Sequence, residues 1–342
     1  MEKKEIDVSV IIPVYNGEKY IYDCIMSIVK QEICLECIII DDGSTDKTYA
    51  ICEKIGKEYN NVFLYRKVNE GVSRARNYGL EKAMGRFIVF VDADDYLANG
   101  ALSKLHKTIQ EVNVDVVFGH ADYVYNDRVL ERNNRIVQGI YTFTDLSNKL
   151  LDDGTLTGIL FGSVWGAMYK KEIILGNNIQ FPEKVRKNED GIFNLLYLMK
   201  CQQICVLNEP TVYYYRQWKV ERDCKFELDN AFEQTELYLH DNRNLFGEIS
   251  NWDLQVARRK LTVAFWNSLQ VQYNIGSYKS VKEYLKKQFE CEDIKKAYKL
   301  MQYKEMNRFK KILVQILKHR LYFIYYVSIR YVYNFLKDKV KR

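Results

Sequence analysis

The sequence predicts an α/β fold, with a mostly parallel sheet and helices on both faces, followed by an all-helical C-terminal region. Two observations carry this. Strand-like and helix-like patterns alternate over the first 120 residues, and the last of only three prolines is Pro210, so nothing interrupts helices over the final 132 residues.

The elements follow in order. Val8–Ile12 reads as a buried strand, and Tyr20, Ile21, Cys24, Ile25, Ile28 and Val29 recur at helical spacing. The strand Cys37–Ile40 ends at Asp41, a helix starts near Asp46, and Val62–Tyr65 forms a short strand. A glycine-bounded helix from about Val72 to Met84 leads into the strand Phe87–Val91, which stops at Asp92. A helix after Asn99 then leads to the strand Val114–Phe118. In such sheets ligands sit at the carboxyl ends of the strands. Pro13-Val14-Tyr15-Asn16, Asp41-Asp42 and Asp92-Ala93-Asp94-Asp95 all fall at those ends and are expected to converge on one cleft.

Composition bounds the rest. The chain has 342 residues, 47% hydrophobic and 28% charged, which suits one domain of about 200 residues with an appendage, or two domains. Met1–Glu5 leads into a strand rather than an apolar signal core, so the eight cysteines are expected to be cytosolic thiols. A split zinc site from Cys34/Cys37 and Cys201/Cys205 is disfavoured, because Cys37 begins an apolar strand and neither pair has knuckle residues around it. The four histidines show no metal-binding spacing.

Net charge is +6, yet Met306–Arg342 alone carries ten Lys/Arg and one acid, a net of +9, which leaves −3 for residues 1–305 (6 − 9). So local a basic character argues against a nucleic-acid-binding surface. Within this stretch Leu321–Ile329 is the longest uncharged run, and nine residues cannot span a bilayer, which needs about 20. A basic helix rich in Tyr and Phe fits an anionic membrane surface instead. The alternative is a helix packed on the protein's own core, or a homodimer through the C-terminal helices.

The acidic run after Phe87–Val91 points to chemistry. Carboxylates this close repel one another, and a divalent cation holds them together while neutralising a diphosphate. The second acidic strand end, Asp41-Asp42, strengthens that reading of the D-x-D. Glycine-loop phosphate binding is excluded: Pro13-Val14-Tyr15-Asn16-Gly17-Glu18 has one glycine and no lysine.

Val10–Asn16, Ile40–Asp46, Asn69–Asn77 and Phe90–Asp95 together resemble the family 2 inverting glycosyltransferases of the GT-A fold, in family order and spacing. The resemblance is dense over residues 6–125, thinner from Trp165 to Arg216, and fades beyond about 225. It implies a GT-A catalytic domain over 1–222, while pattern and charge give a helical extension over 223–305 and a basic aromatic tail over 306–342 as a candidate membrane-surface anchor. It implies Pro13 and Tyr15 at the nucleobase, Asp42 on the uracil imide with Asp41 supporting the turn, and Arg76, with Arg74 as a further candidate, near the nucleotide. Asp94 would bind Mn2+ or Mg2+ directly, with Asp92 on ribose or a metal-bound water.

Glu189-Asp190 resembles the family's E-D motif. Asp190 carries over as general base, and Trp165 and Glu189 as contacts to sugar or acceptor. Bland readings stand beside these: helix N-terminal acids for Glu189-Asp190, a capping pair for Asp41-Asp42, a solvated helix face for Arg74 and Arg76, a core aromatic for Trp165. Processive relatives carry Q-x-x-R-W. Here Tyr213-Tyr214-Tyr215-Arg216-Gln217-Trp218 stands instead, which favours one sugar per visit.

The implied function is transfer of one hexose or N-acetylhexosamine from a UDP-sugar to a lipid-linked or growing glycan acceptor in cell-surface polysaccharide synthesis. The expected place is cytoplasmic, peripheral on the inner face of the plasma membrane. The alternatives are a sugar-nucleotide nucleotidyltransferase, whose Gly-rich loop is missing, and a non-catalytic nucleotide-binding partner of another transferase.

Overall fold

The computed structural model describes residues 6–125, 128–132, 135–217, 231–274 and 277–341. Trp218 and the first residues of the expected helical extension lie outside them. The chain forms two compact units, 1–145 with 163–217, and 146–162 with 218–342.

The first unit alternates β1 (Val8–Val14), α1 (Ile21–Val29), β2 (Leu35–Asp41), α2 (Thr48–Glu58), β3 (Val62–Arg66), α3 (Val72–Lys82) and β4 (Phe87–Phe90). There follow β5 (Tyr96–Leu97), α4 (Ala101–Glu111), β6 (Val116–Tyr125), β7 (Arg128–Leu130), β8 (Gly139–Tyr141) and α5 (Phe143–Ser147), whose last residues cross into the second unit. Then come β9 (Ala167–Lys170), α6 (Lys171–Gly176), α7 (Glu189–Leu198) and β10 (Ile204–Arg216).

The strands lie in the order β3-β2-β1-β4-β9-β6-β10-β5. The first four are mutually parallel, as the strand–helix alternation requires. The sheet as a whole is mixed, because β9 enters antiparallel between β4 and β6, while β10 runs parallel to β6. A strand of four residues, reached without a preceding crossover helix, leaves no alternation signal to read.

All seven residues of β1 are buried, which is why the strand reads as one apolar run. Val8, Val10, Ile12 and Val14 share a core with Ile21, Cys24 and Ile25 of α1, Cys52 of α2 and Leu102 and Leu105 of α4. On the opposite face α3 lies so close that a Cβ on Gly79 would come within 2.4 Å of Ile11 Cγ2. Glycine there sets the depth of α3 on the sheet, and α3 carries Arg76.

The second unit is helical among the described residues: α8 (Ala231–Asp241), α9 (Trp252–Asn274), α10 (Tyr278–Phe289), α11 (Glu292–Leu300), α12 (Arg308–Lys318) and α13 (Tyr322–Lys341). Ser277 and Asn307 cap α10 and α12 by accepting from Ser280 N and Lys310 N. Its core joins Leu261 and Phe265 to Leu285, Tyr298, Leu313, Leu317 and Tyr325, so α12 and α13 are packed into the unit. Residues 146–162 belong here because Gln255 binds them: its Oε1 accepts from Leu151 N at 2.8 Å and its Nε2 donates to Ser147 O at 2.7 Å. Among the described residues no helix is long and apolar enough to cross a membrane.

Candidate active site

Two acidic strand ends flank β1. At the end of β2, Asp41 is fully buried; its Oδ1 accepts from Ser44 N at 3.0 Å and its Oδ2 lies 3.2 Å from Arg66 Nε. Asp42 is consumed by the loop that follows β3. Its Oδ1 accepts from Lys67 Nζ at 2.9 Å and Glu70 N at 3.0 Å, and its Oδ2 from Gly71 N at 2.8 Å. A carboxylate offers about four acceptor sites, so one position on Oδ2 is left for a further donor. Burial would draw the Lys67 ammonium down, but Glu70 and Asp42 hold its pKa above the usual lysine range.

Pro13 lies in β1 opposite Ile40, and Tyr15 just beyond the strand is half exposed. The turn between them and α1 is tied to the β2 end, with Asn16 N donating to Ser44 Oγ and Asn16 Oδ1 accepting from Thr45 N.

The second end, after β4, is built around Arg76. This buried guanidinium donates through Nη2 to Asp92 Oδ1 at 2.9 Å and through Nη1 to Asp190 Oδ1 at 2.7 Å, with Glu189 Oε1 at 3.4 Å. Residues 76, 92 and 190, far apart in sequence, are thus joined by one side chain. Asn77 fixes the geometry beneath it by bracketing Phe181: its Nδ2 donates to Phe181 O and its Oδ1 accepts from Phe181 N, which sets the ring 5.3 Å from the guanidinium.

Arg74, two residues earlier, faces outward and is engaged by Glu70 and Glu183. Of the two arginines singled out from sequence, only Arg76 joins the cluster.

The electrostatics follow from burial and crowding. Burial would lower the Arg76 pKa, but Asp190, Asp92 and Glu189 outweigh it and push it up. Burial raises the Asp190 pKa well above the carboxylate range; Arg76 opposes this, and Glu189 and Asp92 add to it. Glu189 is raised in the same way, by burial first. Asp190 Oδ2 also accepts from Val164 N at 3.2 Å, which anchors the Trp165 loop to the start of α7.

Asp94 is half-buried, and its carbonyl accepts from Arg216 Nη1 at 3.3 Å. Asp95 is fully buried; it accepts from Tyr213 Oη at 2.7 Å and Arg216 N at 2.8 Å, yet burial and the neighbouring Asp92 and Asp94 push its pKa up to about 8.

Sequence reasoning passed over Tyr213 and Arg216. Tyr213 Oη accepts from Asp92 N at 3.2 Å while donating to Asp95, so it fixes both ends of the D-x-D turn. Its ring stacks on Trp165, with centroids 4.8 Å apart, and Tyr215 stacks on the same indole at 5.3 Å. Trp165 is therefore half-buried in an aromatic stack beside the Asp190 loop. The signal is present as Tyr213-Tyr214-Tyr215-Arg216, the stretch that departs from the processive motif.

Residues 9–175 match the model of Glycosyl transferase family 2. Over these residues the chain belongs to this family. The chain is 30% identical over 218 residues to the uncharacterized glycosyltransferase EpsJ of Bacillus subtilis, covering 61% of each chain. It is 29% identical over 261 residues to the poly(ribitol-phosphate) beta-N-acetylglucosaminyltransferase TarS of Staphylococcus aureus, covering 75% of this chain and 43% of TarS. The family 2 chain thus matches less than two thirds of the length of either relative. The crystal structure of TarS 1–349 in complex with UDP-GlcNAc superimposes with a TM-score of 0.64 at 21% identity, covering 96% of this chain and 92% of that one. The fold is that of the GT-A-like transferases: a mixed sheet with flanking helices, then an all-helical region.

Proposed function

We propose that the sheet unit transfers one sugar from a UDP-sugar to a hydroxyl of a lipid-linked or growing glycan acceptor, with inversion at the anomeric carbon. The observation that carries this is the Arg76 cluster, which brings the D-x-D residue Asp92 and the Glu189-Asp190 pair together at the carboxyl end of the sheet. Relatives named as acting on poly(ribitol-phosphate), and one crystallised with UDP-GlcNAc, support the donor and the polymeric acceptor.

In-line displacement needs a base for the acceptor proton and stabilisation of the leaving diphosphate. Asp190 is the base: its raised pKa suits proton transfer near neutral pH, and Arg76 and Val164 N hold its two oxygens in place. Tyr15 lines the base end and Trp165 the sugar and acceptor side, while the remaining Oδ2 position of Asp42 accepts from the uracil imide.

The donor set fits a divalent cation carried with the nucleotide. Among the described residues no three His, Cys, Asp or Glu form a metal cage, and Mn2+ or Mg2+ is commonly held by one or two carboxylates together with phosphate oxygens. Burial first, and then the neighbouring Asp92 and Asp94, raise the Asp95 pKa, and a cation at the turn would offset the contribution of those neighbours. Asp94 and Asp92 would hold it, and when bound it neutralises the diphosphate. Incubating the protein with UDP-GlcNAc or UDP-glucose, manganese and a polyol-phosphate or glycan acceptor tests the reading. UDP release with a product of inverted configuration is expected; absence of release across UDP-sugars and acceptors would refute it.

A further inference from the structure

The outer face of α12 and α13 is an unusual surface. In α13 the residues Tyr322, Tyr325 and Ile329 are buried in the helical core, yet Phe323, Ile324, Val327 and Tyr331 on the opposite side are exposed, Phe323 at 60% and Tyr331 at 72%. They recur at i, i+1, i+4 and i+8, so a second apolar stripe runs along the side facing away from the core. A helix that is apolar on both sides calls for something to cover the outer one. In α12 the exposed Phe309 and Ile312 continue the surface, and Leu321 joins it at the turn. A groove of ≈ 530 Å³ opens there, lined among others by Arg308, Lys311, Ile312, Ile316, His319 and Leu321.

The charge says what fits. Residues 306–331 contain Arg308, Lys310, Lys311, Lys318, Arg320 and Arg330 and no acid at all. Glu290 lies 3.8 Å from Arg320 and accepts from Tyr322 Oη. Cations interleaved with exposed Phe, Ile, Leu and Tyr match the boundary of an anionic bilayer, where headgroup phosphates meet acyl chains. We propose that this outer face docks on an anionic phospholipid surface, with Arg308, Lys311 and His319 at the headgroups and Ile312, Leu321, Phe323, Ile324 and Val327 at the acyl boundary. The attachment is a folded hairpin whose inner side is already committed to the protein core, not a detachable tail.

The test uses the full chain and sedimentation with vesicles of phosphatidylglycerol and phosphatidylcholine, against phosphatidylcholine alone. No sugar donor is present, so failure leaves the transferase reading untouched. Wild-type protein should partition onto the anionic vesicles and be released as salt rises. The pair Arg308→Gln/Lys311→Gln should weaken partitioning about tenfold or more, since each basic residue near the surface is worth about fivefold. The pair Phe323→Glu/Val327→Glu should weaken it at least as much, with the thermal unfolding profile unchanged. If either pair disturbs folding, the lipid and salt series on wild-type protein decides alone. Equal binding to neutral vesicles, no binding to either, or a wild-type dimer that Phe323→Glu/Val327→Glu splits without any vesicle effect would overturn the proposal.

Discussion

The ends of β2 and β4 look alike in sequence, each an apolar run stopped by adjacent aspartates, but they are different objects in the fold. The β2 end is mostly tied to the protein: Asp42 accepts from Lys67, Glu70 N and Gly71 N and keeps one Oδ2 position for a further donor, and Asp41 accepts from Ser44 N beside Arg66. The β4 end is open: Asp92 shares one arginine with Asp190 and Glu189, and Asp95 is held far above its ordinary pKa by burial and its neighbours. The acids at the first end are mostly held by the protein's own donors, while those at the second share one arginine, and under the proposed function a cation carried with the nucleotide would add to that compensation.

The sharpest way to break this contrast is Arg76→Met. Removing the shared cation strands three carboxylates in a buried site, and loss of one partner of such a cluster costs about 3–5 kcal/mol. The apparent melting temperature should fall strongly at pH 7. It should fall less at pH 5, where Asp190 and Glu189, already raised, take up protons. An unchanged melting temperature would mean the cluster is not under electrostatic load.

Next in size is Asp190→Asn, which should keep donor binding but slow transfer about a hundredfold, or ~2.7 kcal/mol in the barrier. Wild-type transfer should decline as pH drops through a midpoint above the usual carboxylate range, and single-turnover assays across pH read both effects. Near-normal turnover of the variant would move the base to Glu189.

Asp42→Asn tests the β2 end. It places an amide against three donors and should cost about 1–3 kcal/mol of stability. The loss should appear in thermal unfolding and in weaker donor binding, with turnover of the folded fraction at saturating donor less affected than by Asp190→Asn. If turnover collapses while stability holds, the β2 end is as catalytic as the β4 end and the contrast fails.

A separate effect, read as a slope of stability with pH, concerns Asp95. Its folded pKa of about 8 lies above the unfolded value, so its contribution is fully present below the unfolded pKa and is lost as pH rises toward 8. Melting temperature should decline over that window in wild-type protein and be flatter in Asp95→Asn.

Much of the first unit was legible because parallel strands buried on both faces leave continuous apolar runs. β1, β2 and β4 could be placed from Val8–Ile12, Cys37–Ile40 and Phe87–Val91, with the helices between them. β9 and β10 were not, since Ala167–Lys170 is too short for a pattern and β10 carries register shifts after Val206. The membership of 146–162 in the helical unit was also hidden, because it rests on Gln255, about a hundred residues away. At the site, motif residues such as Arg76, Asp92 and Asp190 announced themselves. Their mutual bonding did not, and neither did the bracing by Tyr213 and Asn77, which act through contacts that no local spacing encodes.

Calorimetric titration of UDP with manganese and again in EDTA tests the central claim most directly. If the β4 end is open because it takes a cation with the nucleotide, affinity should drop at least about tenfold in EDTA, and Asp94→Asn should erase the difference while leaving the protein folded. Equal affinity with and without the metal would contradict the account.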